Sequence, residues 1–127
     1  ENFKSWFKDD FNQYAHNEIS LPFDQHFLRA LVAPRIILST DATEDLWANP
    51  IGTQAIYEAT TPVYQFLGVE THNAIHYRKG SHGFTYEDFG ALLNFADKML
   101  LNKSISSENY YMTPYNIDFP IEYSSQG

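Results

Sequence analysis

Residues Arg35-Ile36-Ile37-Leu38-Ser39 form an apolar, β-branched run with no two-residue alternation at its centre. A strand covered on both faces has that pattern, and such strands belong to parallel sheets flanked by helices. A second segment, Ala74 to Arg78, reads as a short strand downstream. The periodicity between the two predicts a helix from about Gly52 to Leu67. Its inner face carries Ala55, Ile56, Ala59, Val63, Phe66 and Leu67, Pro62 marks a kink or restart, and Gly68 marks the stop. A last helix opens at Thr85 and runs to about Asn102. Phe89, Leu92, Leu93, Phe95, Ala96, Met99 and Leu100 are its buried stripe, with Glu87, Asp88, Asn94, Asp97 and Lys98 mostly towards solvent. The order strand, helix, strand, helix predicts an α/β fold in which two adjacent parallel strands are joined by a right-handed crossover.

Two parallel strands do not make a stable sheet, because each leaves backbone donors and acceptors unpaired along an open edge. The opening segment points the same way. From Asn2 to His16 the aromatics Phe3, Trp6, Phe7, Phe11 and Tyr14 recur at steps of three and four, a bulky helical face with no evident local partner. Residues 1–103 therefore read as the C-terminal part of a larger α/β domain with an incomplete sheet, and residues 104–127 as an extended or disordered tail. In isolation such a chain is expected to be unstable or self-associating. A free-standing protein that dimerises through these surfaces is the alternative.

Composition narrows the partners. The length of 127 residues suits one domain, and 43% hydrophobic with 17% aromatic residues indicates a globular chain. Sixteen acidic against eight basic residues give a formal charge of −8, which argues against a nucleic-acid partner or an anionic membrane surface. The absence of cysteine rules out disulfides, thiolate-bound zinc and thiol catalysis without fixing a redox compartment. No apolar run reaches membrane-spanning length and no signal peptide opens the chain, which still fits the trimmed part of an exported protein.

Chemistry concentrates in two loops. Gly80-Ser81-His82-Gly83 places a histidine at a strand-to-helix crossover, where an imidazole can shuttle protons, although a surface histidine in a turn fits the same pattern. The polar stretch Thr40 to Pro50, carrying Asp41, Glu44, Asp45 and Trp47, follows the C-terminal end of the first strand, where open α/β sheets hold their ligand crevice. Asp45 reads either as a turn or capping carboxylate or as an acid of the site. Asp24 reads as the cap of a short helix, Gln25 to Val32, ended by Pro34, with His26 bonded to a backbone carbonyl. His72 and His76 are four residues apart, two pleats along a strand, and no third ligand is apparent, so no metal site is assigned.

Several ordered motifs go further than spacing does. Leu21-Pro22-Phe23-Asp24-Gln25-His26, Ala30-Leu31-Val32-Ala33-Pro34-Arg35, Thr43-Glu44-Asp45-Leu46-Trp47-Ala48-Asn49-Pro50, Pro62-Val63-Tyr64 and Gly80-Ser81-His82-Gly83-Phe84-Thr85 together resemble the glucuronoyl esterases of carbohydrate esterase family 15, the bacterial members in particular. The resemblance spans about residues 5 to 100. It implies an α/β-hydrolase fold, a triad of serine, acid and histidine without a cofactor, and cleavage of the ester between 4-O-methyl-glucuronic acid branches of xylan and lignin alcohols. It implies that His82 is the general base and Asp45 the acid, with Glu44 the nearest competitor for that role, while some members carry the acid on an earlier strand. Trp47 and Glu44 are then the substrate-side residues, and Arg78 or Lys79 either meets a uronate carboxylate or is solvated charge. Secretion or export to a periplasm follows from the same resemblance. What is missing is a GxSxG-type elbow. The nine serines lie mostly in loops and the tail, and Ser81, next to His82 in sequence, is badly placed to receive its ring nitrogen. The resemblance thus implies a nucleophile on an upstream half of the same domain, with this chain silent alone. The alternatives are another α/β hydrolase such as an acetyl-xylan esterase, or a non-catalytic carbohydrate-binding or interaction module.

Overall fold

The computed structural model describes residues 6–107 and 109–118. Its framework is a helix α1 (Gln25–Ala30), a strand β1 (Ile37–Ala42), a helix α2 (Pro50–Phe66), a strand β2 (Asn73–Arg78) and a helix α3 (Tyr86–Leu101). The strands pair in parallel, with Ile37 opposite Asn73 and Ala42 opposite Arg78. β1 begins two residues later than its apolar run and continues through Ser39, Thr40 and Asp41, because pairing with β2 satisfies those backbone groups whatever the side chains. The polar loop accordingly starts at Thr43.

Side chains of β2 alternate between two layers, as a strand requires. Ala74 packs with Ala91 and Phe95 of α3 and with Tyr110, whereas Ile75 and Tyr77 pack with Tyr57 of α2, Met112 and Tyr115. The two helices therefore cover opposite faces. All six residues of β2 are buried, but β1 is only half-buried up to Ala42, which corrects the expectation of a first strand covered on both faces.

The tail segment lies along the outer edge of β2. Ile75 N–H donates to the Tyr110 carbonyl at 2.9 Å, and Met112 N–H donates to the Ile75 carbonyl at 3.2 Å. Gln54 of α2 then acts as a surrogate strand for residue 115, donating to the Tyr115 carbonyl at 2.7 Å and accepting from Tyr115 N–H at 2.9 Å. These bonds supply partners to an edge that would otherwise be open.

Three apolar faces differ from their sequence reading. Among its described residues the opening segment forms a 3₁₀ helix at Asp9–Tyr14 with no buried residue, and Phe3 lies outside the described residues. Asp, Asn and aromatic residues are indifferent helix formers, and an amphipathic face with nothing to pack on does not stabilise a helix. In α2, which continues through Pro62, the buried face is Gln54, Tyr57, Thr60 and Tyr64, while Val63, Phe66 and Leu67 are exposed, Phe66 by 90%. Polar groups face inwards there because the sheet and α1 offer partners: Thr60 Oγ1 reaches the His26 carbonyl, and Asn73 donates to the Tyr57 carbonyl at 3.1 Å. In α3 only Asp88, Ala91 and Phe95 are buried, and Phe89, Leu92, Leu93 and Leu100 face outwards.

Candidate functional site

The two loops at the C-terminal ends of the strands are zipped together by backbone bonds. Thr43 N–H donates to the Arg78 carbonyl at 2.9 Å and Glu44 N–H to the Gly80 carbonyl at 3.0 Å. Each loop is also anchored at its far end. The acid-bearing loop ends at Asn49, which adopts a left-handed conformation and caps α2 by accepting from Gly52 N–H at 3.1 Å, with Pro50 in the first helical turn. The histidine loop leaves β2 at Gly80 and re-enters regular structure after Gly83, both at positive φ (+120° and +144°), a backbone that only glycine adopts without strain.

Between these anchors His82 meets Asp45. Their separation, Nδ1 to Oδ2, is 2.7 Å. The carboxylate side chain is 8% exposed and the imidazole 70%, so a buried acceptor holds a ring that stands in the open crevice. Asp45 is itself fixed at the start of a turn, where its Oδ1 accepts from Ala48 N–H at 3.3 Å. With Nδ1–H donated to Asp45, Nε2 is the nitrogen that carries the lone pair, the tautomer a general base needs. Trp47 packs edge-on against the ring of His82, with centroids 5.3 Å apart. The crevice, about 530 Å³, is lined by Asp41, Asp45, Thr53, His82 and Phe84 and reaches the Arg78 and Asp88 pair. At its floor Thr53 Oγ1 donates to Asp41 Oδ2 at 2.6 Å.

Of the residues singled out in the sequence, His82, Asp45 and Trp47 come together. Glu44 does not join them: its carboxylate is exposed and lies 3.9 Å from Lys79 Nζ. His72 sits in a 3₁₀ turn, not on the strand, and its Nδ1 is 2.6 Å from the Pro34 carbonyl. His76 is buried with Nδ1 3.0 Å from the Asn109 carbonyl. Among the described residues no three His, Asp or Glu side chains cluster so as to hold a metal ion. Asp24 caps α1 by accepting from Gln25 N–H at 2.6 Å, and the ring of His26 packs on Phe27 with centroids 4.2 Å apart.

Two residues depart from their sequence reading. Arg78 is neither solvated nor free for a carboxylate ligand, because it is buried and its Nε donates to Asp88 Oδ2 at 2.6 Å. Asp88, expected towards solvent, is buried and also accepts from Thr85 N–H at 2.7 Å and Thr85 Oγ1 at 3.0 Å. Burial alone would raise its pKa, but the bonds from Thr85 and Arg78 outweigh it and hold the carboxyl below its ordinary range. The sequence did contain a signal: Thr85-x-x-Asp88 has the spacing of a helix-capping box, which turns the acid back towards the chain entering the helix.

A parallel strand pair sandwiched by helices, with a carboxylate after one strand and a histidine after the next, defines this chain as a piece of an α/β-hydrolase fold. A family profile described as "Glucuronyl esterase, fungi" matches residues 1–68, just over half of the chain. The chain belongs to the glucuronoyl esterase family. It is 37% identical over 110 residues to carbohydrate esterase MZ0003 from an unknown prokaryotic organism, covering 75% of this chain and 26% of that one. It is 34% identical over 117 residues to 4-O-methyl-glucuronoyl methylesterase 1 of Wolfiporia cocos, covering 89% and 28%. Among solved structures it matches a carbohydrate esterase family 15 glucuronoyl esterase from Caldicellulosiruptor kristjansonii, with a TM-score of 0.73, 40% identity and coverage of 78% of this chain and 26% of that chain. The chain thus spans about a quarter of the length of the relatives it matches.

Proposed function

We propose that this chain is the C-terminal part of a serine esterase that hydrolyses 4-O-methyl-glucuronoyl esters of xylan, contributing the base His82 and the acid Asp45. The observation that carries the proposal is the 2.7 Å contact from His82 Nδ1 to buried Asp45 on loops at the carboxyl ends of parallel strands. The nucleophile belongs to a serine elbow outside this chain, on an upstream half of the same domain. His82 Nε2 takes that serine's proton as the hydroxyl attacks the ester carbonyl. It then protonates the departing alcohol, and Asp45 stabilises the imidazolium formed in between. Water, deprotonated by the same nitrogen, releases the uronic acid. Trp47 borders the sugar, with the exposed Glu44 and Lys79 pair on the same two loops. A polymeric plant-wall substrate places the enzyme outside the cytoplasm, and no helix among the described residues is long and apolar enough to cross a membrane.

The test is hydrolysis by the complete protein of a methyl 4-O-methyl-glucuronate ester beside acetylated xylan. The glucuronoyl ester should be strongly preferred. His82→Ala should lower kcat by at least about a thousandfold with an unchanged melting temperature, since the ring is mostly exposed. Preference for acetyl esters would move the assignment to another esterase, and saccharide binding without any hydrolysis would make the protein a binding module.

A further inference from the structure

We infer that Arg78, held by Asp88, is the positioning residue that fixes His82 for proton transfer; the inference rests on His82 acting as the base. A histidine that is 70% exposed, on a loop bounded by two positive-φ glycines, is held at its ring by Asp45 and the edge of Trp47, and its loop backbone needs a further anchor. One guanidinium supplies it. Arg78 Nη1 donates to the Lys79 carbonyl at 3.3 Å, and Nη2 donates to the Ser81 carbonyl at 3.2 Å and to the Gly83 carbonyl. The carbonyls on either side of His82 are therefore turned inwards onto a single planar fork, and the Gly80 carbonyl is taken by Glu44 N–H. With the backbone tied at Ser81 and Gly83 in that way, the loop presents the imidazole to Asp45.

Asp88 completes the device. Its Oδ2 holds Arg78 Nε and, at the same time, the backbone and hydroxyl of Thr85, where the loop passes into α3. Strand end, loop and helix start thus converge on one buried ion pair. Lysine cannot replace the fork, because a single ammonium does not engage three carbonyls spread along a loop in fixed geometry.

The experiment uses the complete protein with Arg78→Met, Arg78→Lys and Asp88→Asn. It reads kcat and KM across pH together with the proton NMR signal of the His82 Nδ1–H, assigned by its loss in His82→Ala. Arg78→Met should lower kcat by about a hundredfold, the cost of misplacing a reacting group by about an ångström, with KM changed less than about threefold. The downfield Nδ1–H signal should broaden or disappear, and the acidic limb of the pH profile, where a protonated His82 cannot act as base, should move. Arg78→Lys should recover only part of kcat. If Arg78→Met does not fold, Asp88→Asn keeps an acceptor for Nε and should show a smaller drop of about tenfold with the same change in the NMR signal. An unchanged signal and pH profile in a folded variant, or full recovery by Arg78→Lys, overturns the inference. The NMR signal also separates the two readings: if the wild-type protein proves to hydrolyse no ester, loss of the signal in Arg78→Met still supports positioning and its persistence still refutes it.

Discussion

The two ends of the small parallel sheet are each closed by a buried arginine, and the two are used differently. Towards the N-terminal end Arg29 of α1 donates to Asn73 Oδ1 at 2.9 Å, to Ser39 Oγ at 2.5 Å and to the Ala74 carbonyl at 2.9 Å, with Tyr57 beneath it at 5.9 Å. Every one of those partners is neutral, and burial lowers the arginine's pKa. At the C-terminal end Arg78 has the Asp88 carboxylate as well as loop carbonyls. Arg29 pins a helix to the sheet, a task for dipoles and stacking. Arg78 shapes the loop that carries His82, the partner of the Asp45 carboxylate. Asp88 offsets its charge, so the loop gains its cradle without an added uncompensated cation.

Removing one member of each assembly should sharpen the contrast. Asp88→Ala leaves a guanidinium buried and unpaired, and it should cost about 3–5 kcal/mol of unfolding free energy. Replacing both members, as Arg78→Met with Asp88→Leu, should cost clearly less than the sum of the single changes, a coupling that urea unfolding in a double-mutant cycle measures. Arg29→Met removes the charge itself and leaves only neutral acceptors short of a partner. Its cost should be about 2–3 kcal/mol, with kcat of the folded protein unchanged. Equal costs for Asp88→Ala and Arg29→Met, or a fall in kcat at Arg29, would erase the distinction between the two ends.

The sheet and the site were legible to different depths. Ile36 to Leu38 and Ala74 to Arg78 marked the two paired strands, although only β2 is buried throughout and β1 is half-buried, so the apolar run of the first strand does not report burial on both faces. Gly80 and Gly83 around His82, and Asp45 after the first strand, revealed the loops, since a left-handed backbone restricts the choice of residue. Helix faces were read less well. In α2 the inward residues Gln54, Thr60 and Tyr64 are polar or amphipathic and find backbone partners, so a hydrophobic stripe indicated the wrong side. The stripes of Phe66 and of Leu92 and Leu93 point outwards, so a hydrophobic stripe there does not mark the packed face of this chain. Arg78 and Asp88 escaped because lone charged residues read as solvated by default. Only a partner ten positions away, brought in by the turn of the chain, makes their burial favourable.

The smallest expected difference between the ends is their response to acid. Asp88 has a folded pKa below that of an unfolded aspartate, so its contribution to stability is fully present above the unfolded value of about 3.9. It is lost as pH falls from there through the folded value, because the unfolded chain takes up the proton first. Arg29 stays protonated across that range and has no bonded carboxylate, so its end of the sheet adds no such slope. Urea midpoints at pH 5 and pH 3 should therefore fall less in Asp88→Asn than in the wild type, and by the same amount as the wild type in Arg29→Met. An acid response that Asp88→Asn leaves untouched would mean that other carboxylates dominate it. The ion pair at the histidine loop would then hold geometry without governing stability in acid.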